Sequence, residues 1–374
     1  MLQNKIYQNY IKEVLKIFFT ILLGLTLIAW TVRAVNFLDL IVDSGYPILT
    51  YFQYSTLNVL GILVKFIPLS FLLALTLFII RQIQENEFII LWTTGVKKIQ
   101  IVHLFLIIST FVTIFYILFS TIITPLALNQ SRQLLSNENQ TFFLPTIKAE
   151  QFNDSFSGLT FIVDEKFENE IKNIFLQDKQ NILKNISSEK FRKGTNTIIA
   201  NQGIVEDKNL ILLNGSIISS DEKSLKNNII KFKQLNLSLS NLNNTTIKKP
   251  KIQETSTISL LNCFNPKLIN KYDCKKNYKE ELLPVLNRRI VLPFFIPLIA
   301  IISSLLLIKN KKNIFLSNTT IFLYSFLILL YAELIIRYTG INNFMNIAFI
   351  ISPLILSLFS YFYIKSKFSR ESFE

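Results

Sequence analysis

Leu57–Ile80 reads LNVLGILVKFIPLSFLLALTLFII, an apolar run in which Lys65 is the one ionisable side chain. A helix needs about 20 mostly apolar residues to cross ~30 Å of hydrocarbon, and this run satisfies that length. Five more segments of the same kind surround it: roughly Ile17–Leu38 before it, Ile99–Ile123 after it, then Leu283–Ile308, Ile314–Ile336 and Phe344–Ile364. Composition agrees. The 374 residues are 50% hydrophobic and only 17% charged, less charge than a soluble chain of this length carries. The first run is too long for a secretory signal and lacks a small-residue cleavage site, so it is expected to stay as a helix.

Orientation follows from Lys and Arg in the short loops. One set of helix ends carries Lys5, Lys12 and Lys16, then Arg81, Lys97 and Lys98, then Lys309, Lys311 and Lys312, and finally Lys365, Lys367 and Arg370. The opposite short loops, Asp39–Thr56 and Tyr338–Asn343, contain neither residue type. Both termini are therefore expected in the cytoplasm of an inner-membrane protein, with the long 125–282 region exported. The formal net charge of +14 could suggest a nucleic-acid partner, but no soluble module carries a basic cluster with interleaved aromatics, so none is expected.

The exported region changes character. Short apolar or alternating runs, Leu159–Val163, Ile171–Leu176, Thr197–Val205, Leu210–Ile218 and Ile229–Leu239, are punctuated by turn signals at Gly158, Gly194, Asp207 to Asn209 and Asn214-Gly215. Strands at such spacing predict a sandwich or jelly roll. Asn241 to Lys251 reads as a loop, and residues from Ser256 onward as a partly helical return to the membrane. The expected plan is a polytopic α-helical membrane protein with six transmembrane helices and an inserted all-β jelly-roll domain: helices in 1–124 with a short separate helix at about 82–94, the β domain and return segment in 125–282, and helices with a short tail in 283–374.

That short helix is the most informative loop. Gly95 fits a helix C-cap. The first half carries Glu85 and Glu87, and the second, Phe88 to Trp92, is apolar almost all round. An interfacial helix would segregate its faces and favour Lys and Arg; this one suits a protein groove with acids offered to a basic pocket. The plain alternative is a connector with a surface-lying apolar run.

Ionisable groups at membrane depth are functional candidates by default. Arg33, Lys65, Arg288, Arg289 and Arg337 all fall near the exported ends of their spans or somewhat inside them, an anion-attracting mouth suited to a phosphorylated amphipathic ligand. The alternative for Arg33 and Arg337 is snorkelling to the headgroups. Glu333 precedes Arg337 by one turn, which suggests an i, i+4 pair. Cys263 and Cys274 are eleven positions apart in the exported region, where either a disulfide or two separate thiols fits. His103, with no partner in view, is expected to be structural. Two cysteines and one histidine are too few for a metal site, and a GxxxxGK[ST] phosphate loop is missing, so no cofactor, catalytic residue or ATP hydrolysis by this chain is expected.

Four stretches then resemble one family: EFIILWTTGV at Glu87–Val96; IANQG at Ile199–Gly203 followed by LILLNG at Leu210–Gly215; ELLPVLNRRIVLP at Glu281–Pro293; and Tyr7 with Tyr10, Ile11 and Lys12 before the first span. Together with the three-helix, β-domain, three-helix plan, they are similar to the LptF/LptG permease family of the lipopolysaccharide export transporter. The stretch holding Arg33, Leu38 and Gly45 resembles the LptF branch more than the LptG branch. The sequence departs from the family in Trp92, Thr93 and Thr94, where small residues are usual, and in a β domain rich in Lys and Asn.

The resemblance implies an ABC transporter permease that takes lipopolysaccharide from the inner membrane for outer-membrane biogenesis. The implied partners are a homologous LptG-like second permease, a cytosolic LptB-like ATPase dimer, an LptC-like single-pass protein and an LptA-like periplasmic bridge. It further implies that Glu85, Glu87, Phe88, Leu91 and Gly95 couple to the ATPase and that Arg33 leads the phosphate contacts. Rival readings are a lipoprotein-releasing or mechanotransmitting ABC subunit, for which six spans are too many, and a membrane-anchored extracytoplasmic sensor, which would end in a signalling module. A secondary transporter would want several intramembrane polar groups and broken helices at mid-depth, and these are scarce in the sequence.

Overall fold

A computed structural model of the chain describes residues 2–42, 46–138, 149–156, 159–167, 170–178, 195–206, 209–220, 227–238, 251–263, 278–308 and 318–371. Among them six helical segments are long and apolar enough to cross a membrane: Lys5–Val42, Ile48–Gln84, Lys98–Leu135, Glu280–Leu307, Asn318–Ile336 and Asn343–Ser369. They match the six expected spans. Most run past the apolar core, as α3 (Ile48–Gln84) shows: its 37 residues extend about 55 Å at 1.5 Å per residue. The chain divides into two compact units, one of residues 1–32, 57–129 and 251–374, the other of residues 33–56 and 130–250.

In the first unit the second and fourth spans are central. Their apolar windows are 67% and 72% buried, against 22%, 22% and 17% for the first, fifth and sixth, which therefore keep apolar faces open to lipid or to another subunit. The core between them is aromatic and aliphatic, with Phe18, Phe71, Phe78, Phe105, Phe295 and Phe349 all fully enclosed.

The fourth span is broken. It runs as α8 (Tyr278–Ile290), a 3-10 turn at Leu292–Phe294 and α9 (Phe295–Ser303). Proline explains the break. Pro293 has no N–H to give the Arg289 carbonyl four residues back; Pro297 likewise removes the four-back donor of the Pro293 carbonyl, which instead takes a backbone N–H at the end of the 3-10 turn. No water in the bilayer core would take the Arg289 oxygen, so protein must. The third span supplies the donor: Ser120 Oγ donates to the Arg289 carbonyl at 3.1 Å. Thr113 Oγ1, which donates to the Ser109 carbonyl of its own helix at 2.8 Å, lies 3.5 Å from the Pro293 carbonyl. Between them Tyr116 OH donates to the Arg288 carbonyl at 3.1 Å. The third span is itself distorted beside this contact, with α5 (Lys98–Leu118) passing through a π-helical turn at Phe119–Ile123 into α6 (Thr124–Glu138). Thr257, the first residue of α7 (Thr257–Asn262), donates from Oγ1 to the Thr121 carbonyl within that turn at 2.8 Å. Signs of broken helices are scarce in the sequence; two prolines four residues apart, masked by apolar composition, make one here.

The fifth and sixth spans are α10 (Asn318–Ile336) and α11 (Asn343–Glu371). The turn between them packs tightly on α8. Pro284 deprives the Glu280 carbonyl of its helical donor, and a Cβ added to Gly340 would lie 2.1 Å from that oxygen.

The second unit holds one antiparallel sheet in sequence order: β1 (Asn153–Phe156), β2 (Leu159–Phe167), β3 (Glu170–Asp178), β4 (Thr195–Glu206), β5 (Asn209–Ser220) and β6 (Asn227–Ser238). The five expected runs are β2 to β6. The inserted all-β domain is as expected; its connectivity among the described residues is a meander, without a Greek-key crossing. Asn214-Gly215 does not turn the chain but lies inside β5, and Gly158, Gly194, Asp207 and Lys208 lie outside the described residues, as does the 241–250 loop.

A crease crosses the sheet. Pairing resumes on both sides of it with unchanged register, as in Lys172↔Gln202 and Ile174↔Ala200, then Ala200↔Gly215 and Gln202↔Leu213. The skipped row is Asp164, Asn173, Asn201, Asn214 and Lys233, and within it Asn173 and Asn214 adopt φ of 50° and 51°. Asn tolerates this left-handed region better than most residues. The consequence is a one-residue shift in the inward alternation. In β4, Asn196, Ile198 and Ala200 are buried before the crease and Gly203 and Val205 after it. Both halves of β3, β4 and β5 thus present their apolar set to one core containing Phe161, Ile174, Leu212 and Leu237.

Two substitutions test this account by thermal or denaturant unfolding in detergent. Ser120→Ala should destabilise by about 1–2 kcal/mol, as for loss of a hydrogen bond between membrane helices. Ser325→Ala, whose hydroxyl only bonds back to the Ile321 carbonyl of its own helix, should cost less; equal losses would contradict the role given to Ser120. Gly340→Val should cost about 1–3 kcal/mol or more, because the obstructing atoms are backbone.

Candidate functional site

The link after the second span begins one turn later than expected. Gln82 to Gln84 belong to α3, Asn86 breaks the helix at φ 59°, and α4 is Glu87–Thr93. It ends in a Schellman motif: Gly95 N–H donates to the Trp92 carbonyl and Val96 N–H to the Leu91 carbonyl, each at 3.1 Å, with Gly95 at φ 90°. The accompanying apolar contact is between Leu91 and Val96, both buried. Gly95 therefore caps this helix, as its place in the sequence predicts.

The faces of α4 divide differently from expectation. Phe88 and Leu91 are only 1% and 6% exposed and point into the bundle, where each contributes about 1.5–3 kcal/mol of apolar burial. Phe88 packs edge-on against Tyr10 and Phe78 and stacks on Trp92. The Lys98 ammonium sits 4.7 Å over Trp92 and 5.6 Å over Phe368. Phe88 and Leu91 thus anchor α4, while Ile89 and Ile90, 52% and 61% exposed, form its outer surface. Helical geometry sets this division, since successive side chains point about 100° apart. The bulk of Trp92, a departure from the family pattern, is housed within the chain by Phe88 and Lys98.

The acids of this link are engaged within the chain. Arg81 bridges Glu85 at 2.9 Å and Glu13 on α1 (Leu2–Asn36) at 3.0 Å. Tyr10 OH, also on α1, donates to Glu87 Oε2 at 3.4 Å. Such half-exposed pairs are worth little stability individually, but they fix where the carboxylates stand. The first helix, absent from the sequence reading of this site, therefore belongs to it.

The five cations separate into different environments. Arg289 is buried and donates to the Thr255 and Gln253 carbonyls and to Thr257 Oγ1, at 3.0, 2.8 and 2.9 Å. It pins the return segment to α8 and does not face outward. Arg288, the next residue, turns to Glu333 on α10 at 2.5 Å. Glu333 therefore finds its partner on another helix, not in Arg337 as the sequence suggested. Arg33, Lys65 and Arg337 are exposed. Arg33 lies in the last turn of α1, where a cation also complements the helix dipole.

Cys263 is buried in a small cluster with Leu260, Leu282 and Leu286; Cys274 lies outside the described residues, as does Gly45. His103 does have a partner: its Nε2 meets the Tyr361 hydroxyl of α11 at 2.9 Å, with the rings stacked.

Comparison with known proteins adds two findings. A protein of Rickettsia prowazekii (strain Madrid E), described as "Uncharacterized protein RP871", is 26% identical over 181 residues, 47% of this chain; the match spans about half (49%) of that relative. The family model described as "Lipopolysaccharide export system permease LptF/LptG" matches residues 9–366. That span runs from within the first membrane segment to within the sixth and takes in the four between them, α4 and the whole sheet, and the chain belongs to the LptF/LptG family of permeases.

Proposed function

We propose that this chain is a permease subunit of an ABC transporter that extracts lipopolysaccharide from the inner membrane and passes it to a periplasmic bridge. The observation that carries the reading is the family match over residues 9–366, which spans both the helical and the β parts of the chain. The fraction of Lys and Arg at one set of helix ends supports an orientation with both termini cytoplasmic and the sheet in the periplasm. The LptF branch is the finer reading, resting on the residues after the first span.

In this reading hydrolysis belongs to a cytosolic ATPase dimer, and α4 is where that motor pushes. Ile89 and Ile90 are the apolar contact, with Glu85 and Glu87 at the edge of the contact and Phe88, Leu91 and Gly95 holding the helix rigid beneath it. A homologous second permease covers apolar faces left open on the peripheral spans. Lipid phosphates meet Arg33, Lys65 and Arg337, whereas Arg288 and Arg289 hold helices together. The creased sheet offers an apolar path for acyl chains, and its β6 edge, with Ile229 and Ile230 exposed, suits strand addition by the LptC-like or LptA-like bridge. A Cys263–Cys274 bridge would fasten the return segment in that oxidising compartment.

Charge reversal by Glu87→Arg should abolish ATPase assembly or transport while membrane insertion stays intact, and normal export in this variant would sink the coupling role. Ile90→Glu should weaken recovery of the ATPase on co-purification about thirtyfold, the loss of one strong contact residue. The cations divide by experiment as well. Arg289→Gln should destabilise by about 2 kcal/mol or more by leaving buried acceptors unpaired. Arg337→Gln should leave the melting temperature unchanged and reduce lipopolysaccharide retained on purification.

A further inference from the structure

A groove of about 710 Å³ opens between the end of the fourth span and the fifth and sixth spans. One wall is a stripe on α11, Leu356, Phe359 and Tyr363, and the other a stripe on α10, Tyr324, Leu327 and Tyr331. Both follow the i, i+3, i+7 spacing of a single helix face. Continuing the α11 stripe by one turn reaches Lys367, whose ammonium lies 5.9 Å from the Tyr363 ring. The two helices run in opposite directions, yet Tyr324 is near the start of α10 and Tyr363 near the end of α11. The Tyr324 and Tyr363 end of the groove thus lies toward the basic helix ends, while Tyr331 lies past the middle of α10.

We propose that this groove holds an acyl chain of an anionic glycerophospholipid whose phosphate sits at Lys367. The apolar lining accepts a hydrocarbon chain, and the tyrosines near the basic end suit the interface level where such rings concentrate. A partner helix is a poorer occupant. From Leu356 to Tyr363 the wall rises only about 10 Å, and close helix packing in lipid favours small residues, where this wall is Leu, Phe and Tyr. The site differs from the lipopolysaccharide contacts proposed above, which lie toward the opposite ends of the spans. Its assignment to the cytoplasmic leaflet rests on the proposed orientation.

The test uses the full-length protein, with its co-purifying subunits, in nanodiscs of phosphatidylethanolamine and phosphatidylglycerol. The probe is phosphatidylglycerol with a diazirine in the acyl chain, compared with phosphatidylcholine carrying the same group. Both leaflets hold probe, so labelling reads the site whatever the orientation. Adducts should concentrate on residues 324–331 and 356–363, with phosphatidylglycerol favoured about fivefold for the loss or gain of one cation near an anionic surface. Lys367→Gln should bring the two probes level without touching the core, and Lys365→Gln, on the opposite face of the helix, should leave the preference in place. Leu327→Trp should fill the groove and remove these adducts while leaving those on the first span. Adducts spread evenly over all spans, equal labelling of the native protein by both probes, or a groove closed to lipid by a co-purifying transmembrane helix would each overturn the proposal.

Discussion

A carbonyl oxygen in hydrocarbon must find a donor in protein, and proline in the fourth span withdraws one. Pro293 removes the helical donor of the Arg289 carbonyl, and the third span answers with Ser120, while Tyr116 donates to the Arg288 carbonyl beside it. Because those two hydroxyls lie on one helix face, they favour one rotation and one vertical register of the third span against the fourth. Apolar packing alone would not impose that choice, since leucine against leucine and leucine against lipid are nearly equivalent in a bilayer. The hydroxyl–carbonyl contacts therefore specify the centre of the helical unit, and the remaining spans arrange around it.

The same contact reaches outward through Arg289. Its guanidinium holds the Gln253 and Thr255 carbonyls, and Thr257 connects it to the π-turn carbonyl of Thr121. A buried cation with three donors in use is a brace, and the return segment is fixed to the broken helix where it re-enters. Arg288, one residue away, braces a different neighbour through Glu333. The fourth span is thus tied to the third, the fifth and the return segment by adjacent residues. The less buried first, fifth and sixth spans keep apolar faces exposed.

What the sequence could disclose depended on period. Six apolar runs longer than a bilayer and five strand-length runs were legible because composition and alternation persist over many residues. The crease was not: an Asn inside a strand reads as a turn signal, and only cross-strand register reveals that Asn173 and Asn214 share one row. Arg288 and Arg289 looked equivalent because adjacency hides a turn of about 100° between them. The Thr113, Tyr116 and Ser120 stripe and the Pro293–Pro297 pair were both visible as spacings. Matching them required knowing which helices touch, information that no single segment contains.

The turn at α4 shows how this central rigidity could be used. A helix of seven residues is too short to hold itself in place, so its stiffness must be borrowed. Gly95 and Val96 lock its end to its own carbonyls, and Phe88 and Leu91 seat it in the aromatic core shared by Tyr10, Phe78 and Phe105. Displacing Ile89 and Ile90 inward would press Phe88 onto Tyr10 and Phe78 together, and so onto the first and second spans at once. The second span lies in the braced centre, whereas the first is largely unburied and has fewer internal contacts to resist movement. A thrust on α4 would therefore emerge mainly as motion of the first span, the helix whose far end carries Arg33.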